Sequence, residues 1–138
     1  MPEDFAVTAG AGTLAPADGD AVALPHRWTP GGVRATFAFT GAHLLHLAVA
    51  GCVLNDLYRE AHARGLDLDG AAVTARGGFA PGTWASTGVV YEVRVDSPAP
   101  EADVALLLEV VDEVAEIPRA LRQGAPVARV PDAPDDAR

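Results

Sequence analysis

The sequence predicts an α+β domain in which helices pack on an antiparallel or mixed sheet. Three observations predict it. The first forty residues alternate short apolar stretches with turn clusters. A long apolar helical stretch then runs from roughly Ala42 to Arg64. Behind it come a strand pattern with period two, an amphipathic helix and a short apolar end.

In chain order, "FAVTAG", "DAVALPHRW" and "VRATFAF" are the first strand candidates, separated by the turn clusters "APADGD" and "TPGG". Val33, Ala35, Phe37 and Phe39 alternate with Arg34, Thr36 and Ala38, which predicts one buried face through Phe39. The stretch "HLLHLAVAGCVLNDLYREAHARG" predicts a helix stopped by Gly65 in a left-handed conformation. Its middle is apolar on nearly every face, so other structure, here a second subunit, is expected to cover it. Its polar residues, among them Asp56 and Glu60, are expected to face solvent. Asp69-Gly70 turns the chain into a further strand. In "TGVVYEVRVDS", Val89, Tyr91, Val93 and Val95 share one face. Pro100 opens a second helix, with Glu101 and Asp103 at its positive end and Val104, Leu107, Leu108, Val111 and Val114 as its stripe. "PRALRQG" predicts a short helical turn and "APVARV" a closing strand. The whole reads as one domain over residues 1–130, followed by a flexible acidic tail at 131–138.

Composition narrows the function. Nineteen Asp and Glu face ten basic residues, all of them Arg, for a net charge of −9. Such a chain repels phosphate backbones and anionic lipid, so neither nucleic acid nor membrane is expected as a partner. The absence of Lys, with abundant Ala, Gly and Val, fits a GC-rich, bacterial-type genome. "MPEDFAVTAG" lacks the basic and apolar regions of a signal peptide, and the longest apolar run, Leu47 to Leu54, is far short of the ~18 residues that cross a bilayer. A cytoplasmic location is the expectation. One cysteine excludes an intrachain disulfide and a CxxC metal pair.

Three residues of the long helix carry candidate chemistry. Cys52 is a nucleophile only as a thiolate; among Val, Leu and Ala its pKa is expected to rise, which makes a structural thiol the simpler reading. His43 and His46, one turn apart, offer acid/base or polar recognition, or else a capping and a backbone-bonded imidazole. Cys52 lies about 180° around the helix from His43, so the three cannot share one ion, and no metal or cofactor is expected. Arg27 beside Trp28, and Phe79 and Trp84 in the loop "GGFAPGTWAST", are candidate substrate-binding residues.

The segment "LLHLAVAGCVLNDLYREAHARGLDLDG", with the late helix, "IPRAL" and a closing strand, resembles the OsmC and organic hydroperoxide resistance family from about Val33 to Val130. The resemblance implies an OsmC-like fold with sheets wrapped around a long central helix, an intertwined homodimer, and apolar pockets at the subunit interface. Family peroxidases use two cysteines assisted by an Arg and a Glu. Cys52 matches the first cysteine. The second belongs near Ala115, and no cysteine lies between Asp112 and Leu121. Thr40, Gly41 and Ala42 stand where the Glu motif is expected, and no Arg precedes Arg27. The expectation is a degenerate peroxidase: a homodimer whose pocket binds or transforms a small apolar molecule without two-cysteine chemistry. The alternative is a one-cysteine peroxidase of oxidative stress, in which Cys52 attacks an organic hydroperoxide. Whether the protein is an enzyme is left open between acid/base and thiol chemistry.

Overall fold

The computed structural model describes residues 3–131. Five strands form one antiparallel sheet: β1 (Val7–Gly12), β2 (Val22–Leu24), β3 (Val33–Thr36), β4 (Gly70–Phe79) and β5 (Ser86–Asp96), ordered β2-β3-β1-β4-β5. Three helices complete the described residues: α1 (Gly41–Ala63), α2 (Glu101–Val114) and α3 (Glu116–Gln123). The α+β class is as predicted, and the sheet is antiparallel throughout rather than mixed.

One face of the sheet is built to receive a helix. Val7, Ala9 and Ala11 of β1 and Ala71, Val73 and Ala75 of β4 are buried, and their mostly small side chains let α1 approach closely. On β5, Val89, Tyr91, Val93 and Val95 are half-buried while Val90, Glu92 and Arg94 are exposed, the alternation a half-covered strand shows. The opposite face is polar: Thr8 bonds Thr74 at 2.9 Å and Arg76 pairs with Glu92 at 3.2 Å.

α1 lies between this sheet and the α2/α3 pair, so the chain itself covers most of the helix. Val49, Val53, Leu54 and Leu57 are at most 2% exposed, and Leu107 and Val111 of α2 close the core from the other side. The caps follow the sequence. Thr40 accepts a hydrogen bond from the His43 backbone N–H (3.1 Å), and Gly65 adopts φ +67° just beyond the helix end.

Four expectations are corrected. β3 ends at Thr36, and Phe39 is 86% exposed: the Thr40 N–H bonds Ala38 O, turning the chain into the helix cap before the alternation reaches Phe39. The second candidate strand shrinks to Val22–Leu24. "APVARV" (125–130) forms no strand; the segment is exposed and pairs with neither sheet edge. Asp56 does not face solvent; it is fully buried. Of the expected acidic tail, 132–138 lie outside the described residues.

Candidate functional site

The first turns of α1 gather an aromatic and imidazole cluster. His43 is held on both ring nitrogens: Nδ1 lies 2.6 Å from Thr40 Oγ1, and Nε2 lies 3.3 Å from a Glu3 carboxylate oxygen. One turn later His46 is fully buried. Its Nδ1–H donates to the Ala42 carbonyl at 2.7 Å, so in the neutral ring Nε2 is a bare acceptor, and among the described residues no hydrogen-bond partner reaches it. Phe5 stacks on His46 with centroids 6.3 Å apart, and Phe79 meets it edge-on at 6.2 Å. Phe5 also touches His43, at 5.2 Å. Its φ of +50° is sparsely populated for an aromatic residue.

Outside this cluster lies a groove of about 620 Å³ whose walls include Phe5, Phe79, Trp84, Val89 and Val90, with Glu3, Asp4 and Arg76 supplying charge. A smaller hollow of about 330 Å³ sits against α1, lined by Leu45, Val49, Tyr91, Pro118 and Leu121. Gly88 and Val89 line both, so the two adjoin at the start of β5.

The structure therefore brings together His43, His46, Phe79 and Trp84. Arg27 and Trp28 are not part of that group. Arg27 lies over the Trp28 ring at 5.4 Å, and Trp28 packs on His62 in the last turn of α1. That contact lies roughly 24 Å along the helix axis from His46. Trp28 lines another cavity, of about 470 Å³, with Tyr58 and Asp67.

Cys52 faces the other side of α1, toward the start of α3. Its Sγ, an Asp56 carboxylate oxygen and a Glu116 carboxylate oxygen all lie within 4.8 Å of one another. Burial pushes the Cys52 thiol above its ordinary pKa. The Ile117 backbone N–H pulls it back, and the Asp56 and Glu116 carboxylates push it up further. Asp56 is itself raised by burial, against the Asn55 amide and the Arg59 guanidinium that favour its anion. Ala115, where the resemblance places a second cysteine, is fully buried at this junction and carries no thiol. Alkylation of Cys52 by iodoacetamide is accordingly expected to be slow near neutral pH. Its rate should still be climbing above the pH, about 8.5, at which an ordinary thiol is half ionised. A rate that levels off below that point would reveal an activated thiolate.

Sequence reasoning missed Phe5, Glu3, Asp56 and Glu116. Asp56 is signalled weakly by its i,i+4 spacing from Cys52; the others arrive from distant segments with no local signature.

The sequence model of the OsmC-like protein family matches residues 32–129. The chain belongs to the OsmC-like family. Among solved structures, it is similar to an OsmC-like hydroperoxide resistance protein from Jannaschia sp. CCS1. The two share 17% identity with a TM-score of 0.52, over 93% of this chain and 95% of that one, a likeness of fold. No curated protein gives a significant match. Among the described residues of this OsmC-like chain, no helix is long and apolar enough to cross a membrane.

Proposed function

We propose that this OsmC-like chain binds a small, largely apolar molecule in the adjoining hollows beside Phe5, Phe79 and Trp84, without two-cysteine peroxidase chemistry. The observation that carries this reading is the buried, unpartnered Nε2 of His46, enclosed by two rings that also line the groove. A buried acceptor without a donor is costly. A guest that displaces Phe5 and carries one hydroxyl or hydroperoxide group supplies that donor, while its apolar body takes the contacts Phe5 gives up. His43, tied to Glu3, is the second polar handle. A homodimer belongs to the same proposal: Phe39, Trp84, Leu106 and Leu121 leave substantial apolar surface exposed on one chain.

Native mass spectrometry of the purified protein tests assembly and any copurified guest together, and anilinonaphthalene sulfonate fluorescence measures the groove. One dye per chain is expected, with affinity at least tenfold lower in Trp84→Ala and His46→Ala. Parent-like binding in both variants would remove the groove from the reading.

A second reading, a one-cysteine peroxidase, rests on Cys52 standing at the position of the family's first cysteine, where burial raises its thiol and the Ile117 and Glu116 backbone N–H groups offset part of that rise. Cys52 would attack the O–O bond, releasing an alcohol and leaving a sulfenic acid, and two external thiols would then return the thiol with loss of water. It requires thiol-dependent hydroperoxide consumption that vanishes in Cys52→Ser; the raised thiol predicts none.

A further inference from the structure

The cluster of Cys52, Asp56 and Glu116 shares no lining residue with the groove or the adjoining hollow. Cys52 and Asp56 are spaced i,i+4, so both project from one face of the helix, and Glu116 comes from the first turn of α3. Asp56 is fully buried, and its two oxygens are unequally served. Oδ1 accepts from the Asn55 amide at 3.1 Å and pairs with Arg59 at 3.2 Å. Oδ2 is buried with no hydrogen-bond partner among the described residues.

We propose that Cys52, Asp56 and Glu116 form a binding site for a borderline divalent cation of the Zn²⁺ or Co²⁺ class. One thiolate sulfur and two carboxylate oxygens are a donor set that such ions accept, whereas hard Mg²⁺ and Ca²⁺ prefer oxygen alone. Three protein ligands leave a fourth tetrahedral position for water. Bond lengths of about 2.3 Å to sulfur and about 2.0–2.2 Å to oxygen place the donors roughly 3–4 Å apart. The three atoms, already within 4.8 Å, need only a modest closure. Glu116 supplies it, because its side chain is exposed and free to change rotamer. A cation also resolves the local electrostatics. It pairs the orphaned Oδ2 and offsets the mutual repulsion of two carboxylates beside a sulfur. Binding displaces the thiol proton to solvent, so affinity rises with pH.

Titration of the metal-free, full-length protein with Co²⁺ tests the site. The expected result is one Co²⁺ per chain, a near-ultraviolet thiolate-to-cobalt charge-transfer band, and displacement of that band by Zn²⁺. Cys52→Ser abolishes the band. Glu116→Gln alters an exposed side chain and leaves the fold intact; it is expected to weaken binding at least tenfold and to remove the rise in melting temperature that Zn²⁺ gives the parent. Asp56→Asn is the less informative variant, since a buried change can disturb folding. Absence of the band in the parent overturns the proposal. So does stoichiometric binding that persists in both Cys52→Ser and Glu116→Gln, which places the ion elsewhere. Either result leaves the groove reading standing, because no residue is shared between the two sites.

Discussion

Leu57→Ala is expected to destabilise the protein by about 2–5 kcal/mol, as complete burial of a leucine predicts. Leu57 is fully buried in the second half of α1, the helix enclosed by the sheet on one side and α2 and α3 on the other. A cavity there has rigid walls on both sides, because the facing β-strands are hydrogen-bonded to one another and cannot collapse inward independently. Total stabilities of single domains are about 5–15 kcal/mol, so the loss is a large share of what holds the chain folded. Chemical denaturation of the purified variant measures it. A loss under about 1 kcal/mol would mean that the second half of α1 is not the packed centre described above.

Gly77→Ala is expected to cost about 1–3 kcal/mol by overpacking and to disturb the groove at the same time. Gly77 is where three parts of the structure meet. It pairs with Val89 of β5, and its N–H donates to the Asp4 carbonyl at 2.8 Å, fixing the N-terminal segment that carries Phe5. A Cβ at this position would collide with the Gly88 carbonyl oxygen and lie 2.7 Å from His46 Nε2. Either β5 moves or the imidazole does. Reduced stability together with weakened dye binding is the expected pair of results; parent-like values for both would show that the imidazole and the strand have room to spare.

Much of the fold was legible because its signals are local. The helix start at Thr40, its stop at Gly65 and the alternation through β5 each depend on residues within a few positions of one another. Phe39 and "APVARV" mark the limit of that logic. Apolar alternation proposes a strand, but a strand exists only where the segment is brought alongside a neighbour's free hydrogen-bonding groups, and residues 125–130 pair with neither edge strand, β2 or β5. Asp56 failed for a related reason. It shares a polar stretch of α1 with Arg59 and Glu60, and nothing within that stretch reveals that α3 will pack over it.

The candidate site was read in fragments. His43, His46, Phe79 and Trp84 were each visible as unusual residues in an apolar or glycine-rich setting. That they share one cluster depends on β4 crossing beneath the start of α1 and on Phe5 arriving from the N-terminal segment. Arg27 and Trp28 looked equally suitable in sequence, and the length of α1 separates them from the rest.

The amino-acid sequence by itself determined the α+β class, the long helix and its caps, the family resemblance and the absence of a second thiol, because composition and short-range periodicity encode all of these. Tertiary structure alone decided which side chains meet. It put His46 behind Phe5 and Phe79, and it set Cys52 between two carboxylates instead of beside a guanidinium. The physical reason is that pKa shifts and orphaned hydrogen-bonding atoms arise from burial and from groups brought together across long stretches of chain, and no local pattern of residues specifies them.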